Sequence, residues 1–270
     1  MDNSINISPT IFSKVKKYFL DEFEEVNDQL AVEIPVLIKF NHRKYVVMMA
    51  SPSDYEEFGI GFTLSEGLIK NVGDIKSINH YKVDNGVCID INVSRECLRN
   101  IFENYRNLDG RTSCGICGIN EIDKALRKLD PIKESLFKLK LEFIFSALNS
   151  LPNMQIINRE TGSVHAAAFF DNSGKLISTK EDVGRHNALD KLIGYLAKNK
   201  LNPYNGFIII TSRCSMEMVQ KTITIGCPVL VSVSAPTSLA IDIANQNNLT
   251  VLSFARKEKI NIYSNSHRIV

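Results

Sequence analysis

Between residues 206 and 254 the chain alternates short, almost wholly apolar runs with helix-length segments. That alternation restricts the fold more than any other feature. Residues 206–211, 228–233 and 250–254 read as strands, and residues 215–225 and 236–245 as the helices between them. A strand apolar on both faces belongs in a parallel sheet covered on both sides. Just upstream, residues 184–199 read as a helix. Residues 164–170 and 175–179 read as a hairpin turned at Asp171-Asn172-Ser173-Gly174.

The first half follows another pattern. Residues 30–40 and 44–50 are rich in Val and Ile and predict a hairpin around Asn41-His42-Arg43. Ser53-Asp54-Tyr55-Glu56 has the form of a capping box, which predicts a helix ending near Gly67. Residues 74–82 and 87–93 predict another strand pair, turned at Asp84-Asn85-Gly86. A polar, glycine-bearing loop is expected over 106–118, then helices over 119–129 and 132–148 broken at Asp130-Pro131. Phe12, Val15, Phe19 and Phe23 have the spacing of a small amphipathic helix packed on the body. The expected architecture is α/β. Residues 1–118 form an N-terminal α+β part, and residues 119–270 a three-layer α/β/α sandwich.

A chain of 270 residues with 44% hydrophobic content can build one large domain or two small ones. A net charge of +2 is too balanced for a nucleic-acid surface, and no apolar run is as long as a membrane span. The first residues, Met1-Asp2-Asn3-Ser4, lack a secretory pattern. The expectation is a cytoplasmic protein whose six cysteines are reduced thiols.

In an open α/β sheet, ligands sit beyond the carboxyl ends of the strands. Here those ends run into Thr211-Ser212-Arg213-Cys214-Ser215, Ser234-Ala235-Pro236-Thr237-Ser238 and Phe254-Ala255-Arg256-Lys257. Two of these loops enter helix N-termini, whose free N–H groups suit anions, and Arg213 and Arg256 can fork onto phosphate oxygens. Taken singly, Ser212, Ser215, Ser234 and Thr237 read as helix caps; the three loops together, with Ser238 and the two arginines, suggest a phosphate-bearing ligand. A second polar cluster, from Glu181 through Arg185, His186 and Asn187 to Lys191, crowds the start of one helix and could bind an anion or order a loop.

Ser113-Cys114-Gly115-Ile116-Cys117-Gly118 sets two thiols three positions apart between glycines. Such a pair can hold a metal, cycle as a disulfide or carry sulfur as a persulfide. A structural zinc site needs four ligands, and Cys88, Cys97, Cys214 and Cys227 form no second pair. His165 or His186 would have to complete one. His165-Ala166-Ala167 stands where a zinc deaminase carries His-x-Glu, and Cys214 stands alone where that chemistry needs two thiolates. The fold can be deaminase-like with the chemistry absent.

Six co-linear segments resemble the FdhD/NarQ family. They are Gly61-Phe62-Thr63-Leu64-Ser65-Glu66-Gly67, the Cys114/Cys117 segment, Thr161-Gly162-Ser163-Val164-His165-Ala166-Ala167, the run from Glu181 to Lys191, and the loops at Ser234 and Phe254. Thr211-Ser212-Arg213 departs from the Ser-Gly-Arg common in the family but keeps the arginine. The resemblance implies a cytidine deaminase-like fold without its zinc. It also implies a cysteine desulfurase that hands sulfur to Cys114 and Cys117, and onward transfer to the molybdenum or tungsten bis-guanine-dinucleotide cofactor of formate dehydrogenase. The family's cofactor-binding stretch falls on Phe254, Ala255, Arg256, Lys257, Glu258 and Lys259, and the resemblance further implies a homodimer. Two other classes compete: a chaperone that only escorts the cofactor, and a zinc protein.

Overall fold

A computed structural model describes residues 5, 7–105, 127–133, 137–256 and 258–270. The expected loop over 106–118 and most of the expected helix over 119–129 lie outside the described residues.

The first element is a hairpin arm, β1 (Thr10–Tyr18) and β2 (Phe23–Ala31), which forms a two-stranded sheet of its own. It replaces the helix expected from Phe12, Val15, Phe19 and Phe23. Ile11, Ser13, Val15 and Lys17 alternate with Phe12, Lys14, Lys16 and Tyr18, and the unbroken register with β2 follows that period of two. Its larger apolar side chains, Ile11, Phe12, Tyr18, Phe23 and Leu30, are exposed rather than packed on the body; Phe12 is 70% exposed.

β3 (Ile34–Phe40), β4 (Arg43–Ala50), β5 (Ile75–Val83) and β6 (Gly86–Val93) form a four-stranded sheet in the order β4-β3-β6-β5. Asn41 and His42 both take left-handed backbone (φ 47° and 67°), the two-residue turn that matches strand twist. Helix α1 (Tyr55–Ser65) covers this sheet through Tyr55, Phe58 and Phe62, and α2 (Arg95–Tyr105) adds Ile101 and Phe102 to the same core. The capping box does not form. Asp54 is the cap residue in left-handed backbone and makes no side-chain cap bond, while the Ser53 hydroxyl accepts from Lys191 Nζ. The helix does end where expected, with Gly67 at φ 68°.

Residues 127–133 and 137–140 are not helical; the helix comes later, as α3 (Leu141–Met154), followed by α4 (Ile156–Thr161). β7 (His165–Asp171), β8 (Leu176–Asp182), α5 (Arg185–Lys198), β9 (Gly206–Ile210), α6 (Met216–Thr224), β10 (Val229–Ser232), α7 (Ser238–Gln246), β11 (Thr250–Arg256) and β12 (Lys259–Ser264) complete the chain. Six of these strands make one sheet, ordered β12-β11-β10-β9-β7-β8. Only the β9–β10 and β10–β11 pairs are parallel; the β7–β8, β7–β9 and β11–β12 pairs are antiparallel, so the sheet is mixed where a parallel one was expected. One face packs on α5, α6 and α7 through Ala167, Phe169, Ile208, Ile210, Leu230 and Val251. The other packs on α3 through Ala168, Phe170, Ile209, Val231 and Leu252.

The two sheets meet through α1 and α5, which cross at two glycines. A Cβ on Gly61 would lie 2.6 Å from the carbonyl carbon of Asp190, and one on Gly194 would lie 2.6 Å from that of Glu57. Close approach of the backbones requires glycine at both places.

Candidate functional site

Because β7 runs against β9, its first residue, His165, reaches the carboxyl edge of β9, β10 and β11. His165 pairs with Asp182 at the end of β8, so the start of α5 arrives at the same edge. The three loops leaving the parallel strands are laced to one another. Cys214 N–H donates to Ala235 O (3.1 Å), Thr237 N–H to Cys214 O (3.1 Å) and Phe254 N–H to Ser234 O (3.2 Å). Local sequence drives this: each apolar strand runs out into a Ser/Thr-rich loop, and the next helix starts at Met216 or Ser238.

Arg213 and Arg256 are exposed on this edge, as are Thr237 and Ser238 at the start of α7. Thr237 caps α7, its hydroxyl accepting from Ala240 N–H (3.3 Å). Ser215 occupies the corresponding place on α6 but makes no cap bond, and its buried Oγ has no partner among the described residues. Ala255 is buried in the sheet. Phe254 is 38% exposed and takes φ 52°, a left-handed backbone that costs energy for an aromatic residue and clusters at functional sites. The bulge between β11 and β12 at this point turns its ring toward Tyr263, with centroids 6.5 Å apart. Glu258 and Lys259 are exposed at the turn into β12; Lys257 lies outside the described residues. Sequence reading missed Tyr263, because β12 itself was not foreseen.

The polar run from Glu181 to Lys191 divides in two. Most of it is occupied internally. The Glu181 carboxylate accepts from Ile157 and Asn158 N–H at the start of α4 (2.9 and 2.8 Å). Asp182 accepts from Ser51 N–H, Gly184 N–H and the Asn187 amide, and pairs with Lys191 Nζ at 2.7 Å with both side chains fully buried. Asp190 pairs with Lys221 of α6 (2.8 Å) and accepts from the Ser65 hydroxyl (2.6 Å), while Lys221 also reaches Glu66 (2.7 Å). Burial holds the Asp190 carboxyl above the usual carboxylate range, with the Lys221 ammonium pulling the other way.

What remains is Arg185 and His186. Arg185 Nε and His186 Nε2 are buried and have no hydrogen-bond partner among the described residues. Burial first, then Lys221 and Arg185, push His186 down to about 4 against the opposing pull of Glu217 and Glu66, so it is a neutral imidazole at physiological pH. His165 is likewise lowered, by burial and by Arg185, with Asp182 opposing. His186 therefore faces the corner made by α1, α5 and α6. Arg127 is anchored at the same corner, its Nη1 donating to Ser65 O (2.6 Å) and its Nε to Gln220 Oε1 (3.3 Å).

Cys114 and Cys117 lie outside the described residues. Their segment leaves the described chain at the end of α2 and returns at Arg127. Cys88, Cys97, Cys214 and Cys227 are free thiols, and burial pushes Cys214 and Cys227 up to about 12, which removes both as nucleophiles near neutral pH. Among the described residues no three His, Cys, Asp or Glu side chains come together as metal ligands.

The model of the FdhD/NarQ family matches residues 31–270, which is most of the chain and every element after the arm. The chain belongs to this family. Relatives include a sulfur carrier protein FdhD of Bordetella bronchiseptica, 38% identical over 243 residues that cover 90% of this chain and 88% of the relative. Another, of the same description, from Xanthomonas oryzae pv. oryzae, is 40% identical over 90% of this chain and 86% of its own. A solved structure described as a putative formate dehydrogenase accessory protein from Desulfotalea psychrophila superimposes with a TM-score of 0.76 at 25% identity, covering 97% of this chain and all of that one. The family blocks fall on the features described above. Gly61 to Gly67 forms the α1 corner, Glu181 to Lys191 the ion-pair helix, and the Ser234 and Phe254 loops the strand edge.

Proposed function

We propose that this protein carries sulfur to the molybdenum or tungsten bis-guanine-dinucleotide cofactor of a formate dehydrogenase. The observation that carries the reading is the family membership, with relatives described as sulfur carriers along 90% of the chain. Cys114 and Cys117 are the only cysteines spaced as a pair. The Cys114 thiolate attacks the outer sulfur of a cysteine desulfurase persulfide. A new S–S bond forms on Cys114 and the desulfurase thiolate leaves. On delivery, Cys117 attacks Cys114 Sγ, which closes a disulfide and expels the carried sulfur at the sulfide level. The electron pair comes from the two thiols, and a cellular thiol reductant resets them.

The cofactor is cargo. Its phosphates match the exposed Arg213 and Arg256 and the helix starts at Ser215 and Thr237, and its guanine matches the strained Phe254. Arg185 and His186, each with a buried nitrogen that has no partner among the described residues, extend that polar lining toward Arg127, where the segment bearing the thiols rejoins the described chain. We read the sheet as cytidine deaminase-like and the zinc site as lost, since Ala167 stands where the general acid/base would be. Sulfur transfer of this kind belongs in the cytoplasm; no described helix is long and apolar enough to cross a membrane.

The test is intact-mass spectrometry with peptide mapping after incubation with a cysteine desulfurase and cysteine. One added sulfur atom, removed by reductant and located on Cys114, is expected. Cys117→Ala should still gain it and Cys114→Ala should not. No added sulfur beside an active desulfurase would leave a cofactor chaperone as the better reading.

A further inference from the structure

Phe254 and Tyr263 form an exposed aromatic pair whose geometry satisfies neither ring. Their centroids lie 6.5 Å apart with the planes tilted by 43°, neither stacked nor edge-on. In the core, by contrast, Phe170 and Phe207 stack at 5.4 Å and 15°. Phe254 is 38% exposed and Tyr263 36%. Glycine would take the Phe254 backbone, φ 52°, without strain, yet the chain holds an aromatic ring there. The Phe254 N–H is fixed on Ser234 O (3.2 Å), and the bulge between Ser253 and Arg256 leaves Phe254 without a register partner on β12. Tyr263 is held from the other side. Its neighbour Ser264 donates through Oγ to Leu249 O (2.7 Å) and accepts from Val251 N–H (3.0 Å). The Asn265 amide donates to Leu249 O (2.9 Å) and to Ala244 O of α7 (3.1 Å), and the Tyr263 hydroxyl accepts from the Asn261 amide (3.4 Å).

The spacing says what fits between them. A flat ring touches each neighbour at about 3.5 Å, so a sandwich needs its two outer rings about 7 Å apart. The observed separation is close to that, and closing the tilt takes only side-chain rotation. Arg256, two residues past Phe254, is exposed, and the start of α7 at Thr237 follows the Ser234 loop that holds the Phe254 N–H. Aromatic faces beside a cation and a helix N-terminus suit a planar base that carries phosphates. We propose that Tyr263 and Phe254 close as a clamp on the base of a guanine nucleotide. That the base is guanine rests on the cargo reading above. The clamp adds to that reading a binding residue, Tyr263, from a strand beyond the three loops, and assigns the strained Phe254 a partner across the base.

Calorimetry on the full chain tests it with two probes, GDP and inorganic pyrophosphate, which shares the phosphates and lacks the base. Wild type should bind GDP at least tenfold more tightly than pyrophosphate. Tyr263→Ala should weaken GDP at least fivefold, the low end of what one base–aromatic stack is worth, and leave pyrophosphate unchanged. Tyr263→Phe, which keeps the ring, should hold GDP as wild type does. Tyr263→Leu keeps the apolar bulk without the ring and should behave as Tyr263→Ala, which covers the case of an alanine variant that fails to fold. GDP affinity equal in wild type and Tyr263→Leu, an equal loss for GDP and pyrophosphate, or a Tyr263→Phe as weak as the ringless variants would each overturn the clamp. Wild type that binds pyrophosphate as tightly as GDP would overturn the clamp and leave the phosphate contacts of the cargo reading standing. Wild type that binds neither would overturn the cargo reading and the clamp with it.

Discussion

Replacing Lys191 with Met removes a charge that the fold holds in full contact. Its Nζ donates to Asp182 Oδ2 at 2.7 Å, to Ser51 O at 3.0 Å and to Ser53 Oγ at 3.1 Å, and neither Lys191 nor Asp182 is exposed at all. Met fills much the same space, so little cavity is left. The loss is the cation itself, with a buried carboxylate, a carbonyl and a hydroxyl deprived of their donor. Breaking one side of a buried ion pair costs about 3–5 kcal/mol. Asp182 keeps three N–H donors, from Ser51 (3.0 Å), Gly184 (2.8 Å) and Asn187 (2.9 Å), which puts the expected cost near the lower end, about 3 kcal/mol. Asp182→Asn should cost about as much, because all four partners of that side chain are donors and an amide NH2 cannot accept from any of them. Urea unfolding followed by circular dichroism reads both losses as shifts in midpoint at constant slope. A Lys191→Met loss below about 1 kcal/mol would refute the argument that this pair holds α5 to the Ser51 segment.

Gly61→Ala should destabilise the protein by about 2 kcal/mol or more, since the new methyl meets backbone of α5 and both helices must part; an unchanged urea midpoint would contradict the close crossing. His186 gives a pH dependence. The unfolded imidazole protonates near 6.5 and the folded one only near 4, so its contribution is complete above about 6.5 and is lost as pH falls toward 4, about 3 kcal/mol at most. Arg185, Lys221, Glu66 and Glu217 all act on it, so the measurement must be a difference: the stability gap between wild type and His186→Gln should narrow from pH 7 to pH 4.5, and a constant gap would show that folding leaves the His186 imidazole unshifted. Arg256→Ala should weaken GDP binding by about tenfold in calorimetry, the loss expected for one charge-assisted phosphate contact; equal affinity would remove Arg256 from the cargo site.

The elements legible in the sequence are those whose pattern is set locally. β9, α6, β10, α7 and β11 fall within two residues of their expected bounds because apolar runs and Ser/Thr-rich breaks delimit them. The arm was misread because Phe12, Val15, Phe19 and Phe23 satisfy helical spacing, and pairing with β2, which that spacing does not reveal, decides for a strand. The capping box failed for a long-range reason. Ser53 is taken by Lys191, 138 residues away, and Asp54 pairs with Lys180. The same distance hid the meaning of the Glu181–Lys191 cluster. Its density looked like a ligand site, yet the partners that absorb Asp182 and Asp190, namely Ser51 and Ser65, lie in the other half of the chain.

Those long-range pairs explain why Arg185 and His186 are available at all. Apolar side chains could join α1 to α5 at least as strongly, since buried ion pairs seldom outperform a well-packed apolar replacement. Apolar packing would tolerate small rotations of α5. Two ion pairs at Asp182–Lys191 and Asp190–Lys221, each with further fixed hydrogen bonds, do not, because any rotation strands a charge. With α5 pinned in this way, its first turn, which carries Arg185 and His186, is held at the edge where β8 ends beside His165. The cost of burying four charges is thereby converted into the placement of two side chains, each with a buried nitrogen that no described residue satisfies.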